Sequence, residues 1–176
     1  MENIIIADEN DNYIGLEEKE KCHNGDGILH RAFLAMVFNK RGELLLARRS
    51  RTKKLWPGFW DGTVASHLHE GEDYEAATRR RLEQEIGLVT DNVEYLFKFY
   101  YKAVYKNLGT EHEICAVLNV TGIEPEEIEP NREEIDEIRF VDPCELMREL
   151  GDDKNKYTPW LIHAMQHQEY ESVVKG

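Results

Sequence analysis

Residues 71–88 constrain the fold more than any other stretch, because they carry both a start and a stop for one helix. Asp73 can accept hydrogen bonds from the free N–H groups of a first turn. Gly87 can take the left-handed conformation that ends a helix. Their spacing predicts a helix over 73–86. Arg81 and Glu85 stand four apart and so share one face, beside the Leu82/Ile86 pair that packs. Taken alone, Arg81 and Glu85 predict a surface salt bridge. Gly71-Glu72 lies just before the helix start, where backbone N–H groups favour a metal-bound anion.

The remaining pattern is mixed. Ile4-Ile5-Ile6, a polar turn from Asp8 to Asn12 and Tyr13 to Leu16 predict a hairpin over about 3–17. Ala32 to Phe38 is almost continuously apolar, as in a strand buried on both faces. Asn39 to Gly42 turns the chain, and Glu43 to Ala47 returns as a second strand. Further strands are expected at about 95–104, 111–120 and 137–141, with two C-terminal helices near 143–150 and 159–168. The acidic, proline-punctuated segment 124–137 reads as an exposed loop, and 171–176 carries no pattern. Neither strict strand–helix alternation nor a repeat is present. This favours an α+β fold, an α/β/α sandwich with a mixed β-sheet, over a doubly wound one. A length of 176 residues suits a single domain spanning 1–176.

Composition narrows the partners. A formal net charge of -13 opposes nucleic acid and acidic membranes through long-range repulsion. No run approaches a membrane span, and no export signal is visible at the N-terminus. Cys22, Cys115 and Cys144 are scattered without metal or redox spacing, which predicts a reducing, cytoplasmic setting and no disulfides. Against the acidic background, Arg48, Arg49, Arg51, Lys53 and Lys54 form a basic cluster followed at once by Trp56-Pro57-Gly58-Phe59-Trp60. Cations beside bulky aromatics suit a small ligand with an anionic head and an apolar body.

The segment 66–88 resembles the Nudix box, G-x5-E-x7-R-E-U-x-E-E-x-G-U. Ser66 stands at its first Gly, and Glu72, Arg80, Leu82, Glu85, Gly87 and Leu88 match. Arg81 and Gln84 occupy places where hydrolases of that family usually have Glu. Arg-Arg in place of Arg-Glu is similar to type 1 isopentenyl-diphosphate isomerase, a Nudix-fold branch, and this resemblance extends over about residues 3 to 168. It implies three metal-binding imidazoles, His23, His30 and His67, joined by Glu111 and Glu113, for Mn2+, Zn2+ or Mg2+. Alternation along a strand puts those two carboxylates on one face, opposite Ile114, Ala116 and Leu118. It further implies a diphosphate clamp of Lys19, Arg49, Lys53 and Arg81, with Glu85 helping to hold a second ion, Mg2+. Tyr101 and Trp160 match aromatic positions at the hydrocarbon end.

One position departs from that branch. The isomerases carry a catalytic cysteine two residues before the third metal-binding His, and here that place is Ala65. A methyl group neither gives nor accepts a proton. Ser66 is adjacent but alternates to another direction, and Cys22 and Cys115 are not expected at the site. The resemblance therefore implies a small-molecule diphosphate substrate, and the missing thiol shifts the expected reaction to metal-dependent hydrolysis of a short prenyl diphosphate. Candidate bases or second-metal ligands are Glu72, Glu83, Glu85, Glu111 and Glu113, with Tyr101 catalytic beside Glu113. Alternatives are isomerisation through Glu113 with water or Ser66 as the acid, a non-catalytic diphosphate binder, and a nucleoside-diphosphate hydrolase. The oligomeric state is left open.

Overall fold

The computed structural model describes residues 2–170; the 171–176 tail lies outside them. Strands β1 (Asn3–Ala7) and β2 (Tyr13–Glu18) form the expected hairpin, followed by a one-turn helix α1 (Lys19–Cys22). The apolar run becomes β3 (His30–Asn39), and β4 (Leu44–Arg49) returns from the turn. Two short strands, β5 (Trp60–Asp61) and β6 (Val64–His67), precede α2 (Tyr74–Ile86). The long strands β7 (Glu94–Tyr105) and β8 (Gly109–Ile123) pair with each other, and β9 (Ile135–Val141) leads to α3 (Pro143–Asp152) and α4 (Pro159–Met165).

β3 organises the sheet. On one side it runs parallel to β8; on the other it meets β1 at His30, β6 over Ala32–Ala35 and β4 at Phe38 in succession, all antiparallel. Its two faces feed separate cores, as its unbroken apolarity requires. Leu34 and Met36 pack with Leu146 of α3 and Leu161 of α4; Phe33, Ala35 and Val37 pack with Ala77, Leu82 and Ile86 of α2. The result is the expected α/β/α sandwich with a mixed sheet.

α2 has the expected ends. The Asp73 side chain accepts from Ala76 N, and Gly87 caps the helix at φ 68°. The segment 124–137 is largely exposed, as expected, but it also ties back to α2: Glu129 N donates to Ile86 O and Asn131 N to Glu85 O, satisfying carbonyls of the last helical turn. The chain turns at Gln166, so α4 stops short of the expected 168. α1, β5 and β6 escaped sequence reading because runs of two to four residues show no periodicity. Among the described residues no helix is long and apolar enough to cross a membrane.

Candidate active site

The three imidazoles and two glutamates meet. One ligand atom from each of His23, His30, His67, Glu111 and Glu113 lies within 4.8 Å of the others, and all five residues are buried. Each arrives differently. His30 begins β3, His67 ends β6, and the two glutamates alternate along β8, with Glu113 in register with His30. His23 caps α1 and is drawn in by Thr110 N donating to its carbonyl. That approach needs Gly109, where a Cβ would lie 2.7 Å from His23 O. Nδ1 of His23 lies 2.6 Å from Lys19 O and Nδ1 of His30 2.7 Å from Ile28 O. A carbonyl at Nδ1 fixes that proton and turns the Nε2 lone pair inward, the arrangement metal-ligating imidazoles use.

Several of these atoms crowd together without bonding well. His23 Nε2 is 2.8 Å from Glu111 Oε2 and His30 Nε2 is 3.3 Å from Glu113 Oε1, yet Glu111 Oε2 and His30 Nε2 make no hydrogen bond of acceptable geometry. Orphaned buried atoms aimed at one centre fit a divalent cation. Burial, with the neighbouring cations, drives the His67 pKa well below its usual value, leaving the neutral imidazole that ligation requires. Burial opposes ionisation of Glu113, but the neighbouring His30 and the hydrogen bond from Tyr101 prevail and lower its pKa. The Tyr101 hydroxyl donates to Glu113 Oε2 at 2.5 Å, and burial together with the Glu113 charge pushes the phenol well above its ordinary pKa.

These groups form one wall of a cavity of about 450 Å³, a size typical of small-ligand sites. Lys19, Arg49, Lys53 and Arg81 line it, as do Ala65, Ser66, Tyr101 and Trp160. His30 sits behind the wall, fully buried, and Glu85 lines a smaller adjoining hollow with Glu134. Each of the four cations has an acidic partner: Lys19 with Glu2, Arg49 with Asp61, Lys53 with Glu134, and Arg81 with Glu85 and, at 3.6 Å, Glu134. Trp160 stands edge-on to Trp56, ring centroids 5.3 Å apart, and 6.2 Å from Tyr101.

Several expectations need correction. Arg81 and Glu85 are not a surface pair: their side chains are 17% and 7% exposed, because α2 turns this face into the cavity and the 129–135 segment closes over its end. Burial raises the Glu85 pKa, with Arg81 and Lys53 opposing. Glu72 and Glu83 do not reach the cavity. Glu72 binds Arg80 and His69 N, bracing the loop before α2, and Glu83 is exposed. Two of the five residues of the basic cluster turn away, Arg48 to Glu137 and Arg51 to solvent. Cys115 lies in the cavity wall, because it shares the β8 face of Glu111 and Glu113. Sequence reading also missed Asp61, Glu134 and Glu2. The signal for Asp61 was its place beside an aromatic cluster whose indole N–H groups need acceptors.

The NUDIX domain model matches residues 28–161. The isopentenyl-diphosphate Delta-isomerase of Haloarcula marismortui is 41% identical over 94% of this chain and 90% of its own length. The isopentenyl-diphosphate Delta-isomerase 1 of Photorhabdus laumondii is 37% identical over 91% and 90%. Among solved structures, a Deinococcus radiodurans protein superposes with a TM-score of 0.76 at 19% identity, covering 94% of this chain and 98% of that one. A MutT protein from Methanosarcina mazei does so at 0.65 and 17%, covering 84% and 96%. The chain belongs to the Nudix family, in the branch whose curated members are named isopentenyl-diphosphate Delta-isomerase. These relatives overturn the expectation of diphosphate hydrolysis drawn from Ala65: the names of 41% and 37% identical proteins support isomerisation instead.

Proposed function

We propose that this protein interconverts isopentenyl and dimethylallyl diphosphate. The observation that carries the reading is one cavity lined together by the four cations, members of the His/Glu cluster and the aromatic residues Tyr101 and Trp160. Moving the double bond requires a proton placed on one carbon and another removed from a different carbon. His23, His30, His67, Glu111 and Glu113 would hold a divalent ion, Mn2+ or Zn2+, and Glu85 would help to hold Mg2+. When bound, these ions supply charge that offsets the buried carboxylates and the diphosphate.

Lys19, Lys53 and Arg81 release their present acidic partners to clamp the diphosphate through charge-assisted hydrogen bonds, and Arg49 joins them while keeping its bond to Asp61. The short contact between Tyr101 and Glu113 makes that pair the proton-handling group on one side of the alkene. Trp160 and Tyr101, ring centroids 6.2 Å apart, lie beside the carbon skeleton, where a π-system stabilises developing positive charge. Ala65 contributes shape alone, so the proton on its side comes from water admitted beside the methyl group.

Phosphorus NMR of isopentenyl diphosphate incubated with the protein and Mg2+ or Mn2+ tests this. Dimethylallyl diphosphate should appear with no released phosphate. Released phosphate, or unchanged substrate under metal-loaded conditions, refutes the assignment.

A further inference from the structure

Asp61 is a buried carboxylate outside the cluster, 4% exposed, and it gathers donors from three parts of the chain. Its Oδ1 accepts from Gly62 N at 2.8 Å, Thr158 Oγ1 at 2.9 Å and Trp160 Nε1 at 2.6 Å. Its Oδ2 accepts from Arg49 Nη1 at 3.2 Å. Arg49 also gives Nε to Trp56 O and Nη2 to Leu55 O, and its guanidinium lies 5.1 Å from the Trp160 ring centroid. Three of the five N–H groups of a guanidinium are thus committed to the protein, leaving one on each terminal nitrogen. A fork held in this way presents its two remaining donors in a fixed direction.

We infer that Asp61 is a positioning residue that ties the anion-binding Arg49 to the aromatic wall residue Trp160, so that this cation and this ring are set as one unit. The inference rests on reading the cations that line the cavity as a diphosphate site. Bonding to α4 alone would make Asp61 a fold contact, and the backbone already supplies one there, since Thr158 N donates to Trp60 O. The bond from Oδ2 to Arg49 is surplus to that joint. It also offsets the charge of a half-buried Arg49, whose side chain is 15% exposed. Burial pushes the Asp61 pKa up while Arg49 and the three other donors oppose it.

Calorimetric titration of inorganic pyrophosphate with Mg2+ into the whole protein separates the alternatives. In Asp61→Asn either amide orientation sets an N–H2 against a donor, so one arm of the tie is lost. Pyrophosphate affinity should fall by about tenfold or more. Trp160→Phe keeps an aromatic ring and removes only the indole N–H. Pyrophosphate has no apolar part, so a Trp160 that is merely a wall leaves its affinity unchanged, whereas the tie predicts a loss of roughly threefold or more. If Asp61→Asn does not fold, Trp160→Phe alone decides. Wild-type affinity in a folded Asp61→Asn or in Trp160→Phe overturns the inference and leaves the anion site standing. A wild-type protein that does not bind pyrophosphate overturns the anion site and the inference with it.

Discussion

Replacing Arg81 by Met converts the difference between a surface and a buried ion pair into a melting temperature. Arg81 donates Nε and Nη2 to Glu85 Oε1 at 3.0 and 2.5 Å. An exposed pair at this helical spacing is worth about 0.3–0.5 kcal/mol, which would shift the melting temperature by no more than about 2 °C. Here Glu85 is 6% exposed, and removing its guanidinium leaves the carboxylate with Lys53 as its remaining cation and Glu134 repelling it. Breaking a buried pair from one side costs roughly 3–5 kcal/mol. Partial exposure of Arg81 and the residual attraction of Lys53 place this case near the lower bound, about 3 kcal/mol. At roughly 2–4 °C per kcal/mol for a chain of this size, Arg81→Met should melt about 6–12 °C below wild type. Adding Glu85→Leu removes the stranded charge and should recover most of that loss. Thermal unfolding by circular dichroism in phosphate-free buffer, on all four members of the cycle, gives the answer. A single variant within 2 °C of wild type, or a double variant no better than the single, refutes the buried-pair argument.

Ala65→Cys places a thiol on the cavity wall and should raise the isomerisation rate about a hundredfold, as a positioned acid does; no gain in a folded, metal-loaded variant counts against the assignment of that position. Either His67→Ala or Glu111→Gln should remove bound metal and activity together, and elemental analysis showing unchanged metal in either would show the ligand set to be wrong. Glu149 has its pKa held down at about 2, first by hydrogen bonds from Arg139, against an ordinary 4.5. Because the folded value is the lower one, its stabilisation is present above about pH 4.5 and fades as pH falls toward 2. The gap in urea midpoint between wild type and Glu149→Gln should therefore narrow over that interval; a gap that widens on acidification would reverse the sign of the argument.

Much of this was legible in the residues. The unbroken run before Asn39 could only be a strand covered on both faces, and Glu111 and Glu113 had to share a face once a strand was assigned there. Less could be read where a side chain's meaning depends on distant backbone. His23 reaches the cluster through a one-turn helix and the bare Cα of Gly109, neither of which has a periodic signature. The helix pattern set Arg81 and Glu85 on one face without saying what that face meets, and the segment that closes over it looked like a solvated acidic loop. Ala65 was read wrongly as a change of reaction. One absent group removes a route for a proton, but it does not supply a hydrolytic one, and the relatives' names support isomerisation.

Proton exchange tests the central claim, that the His/Glu-lined cavity moves protons on a prenyl diphosphate, even where turnover is slow. Isopentenyl diphosphate incubated in D2O with the metal-loaded protein should return as both isomers carrying carbon-bound deuterium, with no label when His67→Ala is used. Recovery of unlabelled substrate from the wild-type, metal-loaded protein would contradict the account.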